Sequence, residues 1–436
     1  MATAENAPSP TDVESLPDHS LSDAVGGGPV IATLDVSLSN EIVQLLSEQL
    51  YTSPLKAIEE LVVNAYDADA EECRVGLLLG DSAPLPMVAA AEDSSNEDDP
   101  VAGVAVSSAA DVAPRGIIAI YDDGDGMDLD GLRGLWRVGD SPKKYEAHPT
   151  KRFQRKSVGK FGIGKLATYA VANRITYITA SGGKIHYVRC DFRHFGPSAG
   201  GASKPVPLEV HDVSNFGSLL SRSDFAAVLS QLSLRPEKLN EKSVKSWTIC
   251  LLDDLKPKAQ DLQIGRLGWV LRTAMPLKSN FRVYLNGAEQ KSSKEDHNRI
   301  LEFKIGDLHQ ERIASLNKRL GTSLQRNADM LVEPALFPSG IKGEAIVTEG
   351  TLVGKSDALM GRSHGFFVRV RGRVVNLEDP LFHNTPISHA TFNRFRADLD
   401  IDDLHEDLTA PREGVGVGRR RDVGRGGRAR SRASVP

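Results

Sequence analysis

The stretch from Glu59 to Ala70, EELVVNAYDADA, decides the fold that we expect for this chain. Its apolar residues recur at helical spacing, and Ser53-Pro54 just upstream is typical of a helix start. On such a helix Glu60, Asn64 and Asp67 lie at positions i, i+4 and i+7 and face the same way. The alternative is a solvated helix face on which Glu59 pairs with Lys56. Because Asn64 and Asp67 are poor helix formers inside a strong helix, we favour a functional face.

Composition indicates a globular protein of two or three domains, with 436 residues, 40% of them hydrophobic and 25% charged. The three cysteines are far apart and lack a C-x-x-C spacing, which predicts neither a disulfide framework nor a zinc site and indicates a reducing, cytoplasmic location. No stretch approaches the ~20 apolar residues of a membrane span, and the N-terminus lacks a signal pattern, so no membrane association is expected.

Charge is distributed unevenly along the chain. Residues 417–436 hold seven Arg against one Asp, so with a total of −5 the remainder carries a net charge near −11. We therefore expect no bulk electrostatic attraction between the folded body and nucleic acid. The Arg-rich tail itself is compatible with contacts to RNA or DNA phosphates, although such tails are more often solvated.

Patterning divides the chain into segments. We predict a disordered leader over 1–33, a first domain over 34–290, a second α/β domain over 295–413 and a disordered Gly/Arg-rich tail over 414–436. Within the first domain, 80–115 is predicted as a disordered acidic insertion. Helices are predicted over 41–51, from 53 to 65, and over 166–171 and 310–320. Strands are predicted over 73–79, 117–121, 175–180, 184–190, 247–252, 281–286, 342–347, 365–370 and 373–376.

A glycine-rich loop at 159–164 and two lysines form a candidate phosphate cradle. Glycine lets the backbone approach a phosphate closely, and a helix start behind the loop presents unpaired N–H groups to an anion. Gly159, Gly162 and Gly164 provide this freedom, while Lys160 and Lys165 add positive charge. The spacing does not fit a Walker A loop, and a tight strand-to-helix turn without a ligand is an open alternative.

Asp122-x-Gly124-x-Gly126 follows a predicted buried strand. Asp-Gly turns after strands mostly bind nothing. An ionised carboxylate at the end of a buried strand needs donors, however, and an adenine amino group is one such donor. The glycines would then let a flat base lie against the backbone.

These three motifs, in this order, resemble those of the gyrase, heat-shock chaperone, histidine kinase and mismatch-repair ATPases, known as the GHKL superfamily. The N-box is similar to Glu60-x-x-x-Asn64-x-x-Asp67-Ala68, the adenine motif to Asp122-x-Gly124-x-Gly126, and the lid motif to Gly159-x-Phe161-Gly162-Ile163-Gly164. The predicted helix over 41–51 resembles the heat-shock chaperone branch most. A histidine kinase is disfavoured, since no phosphoacceptor helix precedes the motifs.

The resemblance implies an α/β fold: a Bergerat sandwich, with a mixed sheet and helices on one face, followed by a second α/β domain of the ribosomal S5-like type. It implies that Glu60 is the general base, that Asn64 ligates Mg²⁺, that Asp122 binds adenine, and that a lid over 128–164 closes on ATP. The further ATP-binding residues it implies are Asp67, Gly124, Gly126, Met127, Gly159, Lys160, Phe161, Gly162, Ile163, Gly164, Lys165 and Thr248.

The segment from Phe395 to Glu413 resembles the chaperone middle-domain segment whose arginine reaches the γ-phosphate. Arg412 takes that place here, although Pro411 stands where the family has Ser. An exposed Arg-Glu pair in a loop is the alternative. The Gly-Arg repeats that follow also look like a chain cut short or read in an altered frame.

The sequence therefore predicts a slow, Mg²⁺-dependent ATPase of the chaperone-like type, with ATP and Mg²⁺ as ligands and ATP-dependent homodimerisation as a family-level expectation. Its client is not predicted. Two alternatives stay open: a nucleic-acid-associated ATPase clamp and a nucleotide-binding module without turnover.

Overall fold

The structure is a computed structural model that describes residues 29–36, 53–79, 116–136, 149–159, 164–195, 206–213, 216–240, 246–277, 280–291, 298–352, 363–377, 379, 381 and 390–408. Its α-helices are α1 Pro54–Asp67, α2 Leu129–Leu135, α3 Phe216–Leu220, α4 Ser223–Gln231, α5 Pro236–Asn240, α6 Pro257–Gln260, α7 Ile264–Ala274 and α8 Gln310–Leu320. The described residues also form 3₁₀ helices at Gly164–Ala170, Phe192–Phe195, Ile305–Asp307, Ala390–Arg394 and Asp402–Asp407.

The strands of the first sheet are β1 Val30–Val36, β2 Glu72–Leu78, β3 Ile117–Asp122, β4 Ala172–Ser181, β5 Lys184–Asp191, β6 Val206–Asp212, β7 Trp247–Leu255, β8 Arg282–Leu285 and β9 Ala288–Glu289. Within the described ranges these nine strands are ordered β1-β6-β5-β4-β7-β3-β2-β8-β9. The pairs are antiparallel apart from β2 with β8, which is parallel, so the sheet is mixed as expected.

Helices cover both faces of this sheet, and the expectation of helices on one face is wrong. One apolar cluster joins Ile118 and Ile120 of β3 to α1 and α7. A second joins the alternate residues Ala119 and Tyr121 to Phe225 and Leu229 of α4. Because successive strand residues face opposite sides, the near-continuous apolar run of β3 requires a partner layer on each face.

The second sheet contains β10 Arg299–Lys304, β11 Gln325–Asn327, β12 Met330–Glu333, β13 Phe337–Thr348, β14 Gly365–Val370, β15 Arg373–Val374 and β16 Phe395–Asp400. Its described strands run β11-β12-β13-β16-β14-β15, with β10 paired to β13. Strands β14 and β16 are parallel and their neighbours antiparallel. This α/β composition agrees with the sequence expectation, whereas the S5-like assignment stays a prediction.

One hydrophobic core continues from the first sheet into the second. Phe367, Val374 and Leu377 belong to the same buried cluster as Ile58 and Leu271, with exposures of 4% or less. The second sheet therefore packs directly against α1 and α7.

Several sequence expectations need correction. Strand β1 begins at Val30, so the predicted leader over 1–33 overlaps the first sheet. The predicted helix over 166–171 is the 3₁₀ helix Gly164–Ala170. Strand β6 and helices α3 to α7 were not predicted; α4 and α7 have Arg222 and Gln263 at their N-caps, neither of which makes a capping hydrogen bond, so the usual start signal is absent. The predicted helix over 41–51, the insertion over 80–115 and the tail lie outside the described residues.

Candidate functional site

Helix α1 is buried on nearly all sides, and its acidic pair meets an arginine from the second sheet. Oε1 of Glu60 lies 2.7 Å from Nη2 of Arg373, and Oε1 of Glu59 lies 2.8 Å from its Nε. The three side chains are 10%, 0% and 1% exposed. The Lys56–Glu59 pair of the alternative interpretation also forms, at 3.0 Å, but it is buried and is not part of a solvated helix face.

The two acids and two bases of this cluster balance their charges. Burial raises the pKa of the Glu59 carboxyl, but the nearby charges of Arg373 and then Lys56 outweigh that effect, so its pKa is held below its usual value. Burial lowers the pKa of Arg373, and the charges of Glu59 and Glu60 more than reverse this, so its pKa is raised. Each charge is therefore stabilised only while its partners remain in place.

Asn64 follows Glu60 by one helical turn and is half-buried. Within the described part of the chain its side-chain amide has no hydrogen-bond partner, so its carbonyl oxygen is available for a ligand. An amide oxygen with an acid one turn away is a donor set that suits Mg²⁺, which takes oxygen ligands and keeps several waters. The residues present therefore fit the metal that the resemblance implies.

Asp67 holds the backbone that precedes the glycine loop. Its Oδ1 accepts from the Val158 N–H at 2.7 Å, and its Oδ2 accepts from the Gly159 N–H at 2.7 Å and the Ser157 hydroxyl at 3.0 Å. The side chain is thus directed at the lid-end segment, which we define as residues 149–159. The sequence predicted a contact between Asp67 and ATP, which stays a prediction; the contacts that the structure describes are with two backbone N–H groups and one hydroxyl.

Two further residues that were not predicted tie the lid-end segment to the end of α1. Asp69, in the left-handed region at φ 63°, accepts from the Thr150 hydroxyl at 2.7 Å and from the backbone N–H of Arg152 and of Phe153. Arg155 donates to the carbonyls of Tyr66 and Ala70 at 3.1 and 2.7 Å. It thereby links the last turn of α1 and the residues just after it to the lid-end segment. The lid-end segment is therefore anchored to the helix.

Asp122 and Thr248 lie directly opposite each other at the ends of β3 and β7. Thr179 of β4 is opposite Thr248 on the other side; their hydroxyls are 3.2 Å apart, and the Thr179 hydroxyl accepts from the Met127 N–H at 2.9 Å. Asp122, Thr248 and Thr179 thus form one row across three strands, and the backbone of Met127 is held to its end. Thr179 carries no sequence signal, because only the strand register reveals its neighbours.

Asp122 is half-buried at the end of β3, and its carboxyl is partly shielded from water. The pKa of Asp122 is raised to about 7, and burial is the largest cause. The Gly124 N–H donates to Oδ1 at 3.0 Å and lowers the pKa, whereas the charges of Asp123 and Asp125 raise it. Asp123 itself accepts from the Glu71 and Glu72 N–H groups at 2.8 Å, which fixes the loop to the start of β2. Asp122 is therefore a carboxyl that gains from a donor other than water.

The glycines after Asp122 are required by contacts within the protein. A Cβ on Gly124 would lie 2.5 Å from the Ala68 carbonyl oxygen, and one on Gly126, at φ 63°, would lie 2.0 Å from the Ala180 carbonyl oxygen. The expectation that they make room for a flat base is not needed to explain them. They let the loop pack between the end of α1 and the end of β4.

The remaining predicted site residues are only partly described. Gly159 donates its N–H to Asp67, and the 3₁₀ helix Gly164–Ala170 begins with the backbone of Gly164 and Lys165. Lys160, Phe161, Gly162, Ile163 and Arg412 lie outside the described residues. Arg373, by contrast, was not predicted, because nothing in the sequence around a short strand shows that it faces α1.

Residues 51–217 match the family model described as Histidine kinase-, DNA gyrase B-, and HSP90-like ATPase. The match supports the GHKL superfamily for this domain and suggests that it binds ATP. It includes Glu60, Asn64 and Asp122 but ends before Thr248 and Arg373. No curated protein matches the chain.

Among the described residues, no group of three or more His, Cys, Asp or Glu side chains is placed to hold a metal ion. Among the described helices, none is both long and apolar enough to cross a membrane.

Proposed function

We propose that this protein binds Mg·ATP, hydrolyses it slowly and uses the cycle as a conformational switch of the chaperone-like GHKL type. The observation that carries the proposal is the acid–amide pair Glu60 and Asn64 on α1, inside the segment that matches the GHKL family model. An ATP hydrolase of this kind needs a group that positions the attacking water, a ligand for the cation, and contacts to the adenine ring.

In this mechanism Glu60 is the general base. Its Oε1 is engaged by Arg373, and Oε2 has no partner among the described residues, which leaves it to accept a proton from water. Asn64 would hold the Mg²⁺, which neutralises phosphate charge when bound. Asp122 accepts a hydrogen bond from the adenine amino group, and Thr248, across the strand pair, supplies a hydroxyl to the same end of the site.

The lid is assigned more narrowly than the sequence suggested. The two described ends of the predicted lid over 128–164 belong to the core: Leu132 of α2 is fully buried, and Val158 of the lid-end segment is 1% exposed. We assign Asp67 to holding the lid-end segment and the glycines at 159–164 to the phosphates. The second domain acts as the transducer, with Arg412 as the γ-phosphate contact.

Glu60→Gln tests the proposal, because it keeps the size of the side chain and removes the base. Phosphate release is expected to fall by about 100-fold or more while ATP affinity stays within a few-fold. Glu302→Gln, at an exposed side chain in the second sheet, is the matched control and is expected to release phosphate like the wild type.

Unchanged release by Glu60→Gln would overturn the role of Glu60. A wild type that binds ATP but releases no phosphate would instead favour the module without turnover.

A further inference from the structure

Arg373 lies just behind a tight turn that joins β14 to β15. The two turn residues, Arg371 and Gly372, both have positive φ, at 53° and 84°, as a two-residue turn of type I′ requires. A Cβ on Gly372 would lie 2.8 Å from Cβ of Pro276, just after α7. The turn therefore packs against the first domain, and this contact fixes the backbone position from which the Arg373 side chain reaches α1.

One guanidinium spans two consecutive residues of α1. Neighbouring residues on a helix point about 100° apart, so a single partner rarely reaches both. Arg373 does so by lying across the helix: Nε donates a hydrogen bond to Oε1 of Glu59, whereas Nη2 pairs with Oε1 of Glu60 as an ion contact at 2.7 Å whose angle does not meet hydrogen-bond geometry. The planar fork of an arginine allows this division, whereas the single ammonium of a lysine does not.

The same turn also touches the lid-end segment. Arg371 donates from Nη1 to the Ser157 carbonyl, and its N–H donates to Oδ1 of Asp402 at 2.7 Å. Oδ2 of Asp402 accepts from Lys156 at 3.3 Å. The turn is thus held by the first domain on two sides, and its position is set independently of Glu60.

We propose that Arg373 is a positioning residue for Glu60: the second domain supplies the guanidinium that fixes the carboxylate at the geometry its water requires. This rests on the function proposed above. Glu59 completes the device by holding Nε, so that Nη2 is left for Glu60. Since Glu59 is fully buried, it acts through Arg373 and not on the substrate.

The test compares Arg373→Lys with Arg396→Lys in the full chain. Arg396 is also a buried arginine of the second sheet, 2.7 Å from Asp398, and makes no described contact with α1. Because an error of about 1 Å in placing a catalytic group can cost about 100-fold, Arg373→Lys is expected to lower kcat by about 10- to 100-fold. Its Kd for ATP is expected to stay within about 2-fold, and Arg396→Lys to keep the kcat of the wild type at a temperature where both are folded.

Glu59→Gln is the second variant, used in case Arg373→Lys does not fold. It is expected to lower kcat with an unchanged Kd, although its side chain is out of reach of ATP. Wild type and Glu60→Gln are measured in the same assay; their difference tests the proposed function on its own.

With that difference established, an unchanged kcat in Arg373→Lys or Glu59→Gln overturns the positioning role. A weakened Kd in Arg373→Lys, with Glu59→Gln at wild-type kcat, also overturns it, because Arg373 would then be a ligand of ATP.

Discussion

At the scale of single residues, Asp122 shows how burial prepares a side chain for a ligand. Its carboxyl has a pKa of about 7 because burial disfavours the charged form. In the unfolded chain it ionises at a lower pH, so the stability that Asp122 contributes is full in acid and is lost as the pH rises toward 7. A donor from a ligand reverses this preference by stabilising the carboxylate.

We therefore expect ATP affinity to rise from about pH 6 to about pH 8 and then to level off, since the protonated carboxyl accepts poorly and each pKa unit corresponds to about tenfold in binding. Calorimetric titration with saturating Mg²⁺ measures this. Asp122→Asn is expected to bind at least about 10-fold more weakly and without that slope. The control Asp130→Asn, at a side chain that is 87% exposed, should keep both. An Asp122→Asn protein that ATP still protects against thermal unfolding would refute the adenine assignment.

At the scale of elements, α1 and the lid-end segment form one unit. Asp67, Asp69 and Arg155 each bridge the two, and they satisfy backbone groups on both sides. The sequence identified Asp67 through its position on the helix, but not its partners about ninety residues away along the chain. Those partners depend on tertiary packing that no local pattern contains.

Asp67→Ala is expected to lower the free energy of unfolding by about 2–4 kcal/mol, because three donors lose a charged acceptor at a buried position. Urea denaturation measures this loss. Amide hydrogen exchange at Val158 and Gly159 should accelerate at the same time. Asp130→Ala removes an exposed i,i+3 ion pair and is expected to change stability by less than about 0.5 kcal/mol. Equal protection of the two amides in wild type and Asp67→Ala would contradict the anchoring.

Some elements and residues follow from local sequence spacing, and others do not. Helix α8 and strand β14 have the bounds that their periodicity predicts, and the strand ending in Asp122 is only one residue longer than predicted. Those features depend on local spacing. Thr179, Arg155 and Arg373 depend instead on strand register and on contacts between distant segments, which a single sequence does not encode in any readable period.

At the scale of the whole molecule, the shared core predicts that the two sheets unfold as one cooperative unit. All three Trp residues, at 136, 247 and 269, lie in the first domain, so their fluorescence reports on that domain alone. Phe337 is fully buried in a cluster whose members all belong to the second domain. A substitution at Phe337 therefore tests whether unfolding of the second domain is coupled to unfolding of the first.

Phe337→Ala is expected to lower the free energy of unfolding by about 3–5 kcal/mol. If the two domains unfold together, the unfolding midpoint measured by tryptophan fluorescence should shift by the same amount as the midpoint measured by circular dichroism. The outcome that would count against a single cooperative unit is a wild-type tryptophan midpoint in this variant, together with an earlier loss of part of the dichroism signal.

The core that runs through Phe367, Val374 and Leu377 also bears on how such a chain can change during evolution. A first domain joined to a different second domain would expose the apolar surface around α1 and would leave Glu59 without Arg373, with Lys56 as its remaining counter-charge. We therefore expect the three apolar residues and Arg373 to be inherited together with the helix they cover, so that the connection between the two sheets is a poor point at which to recombine the chain.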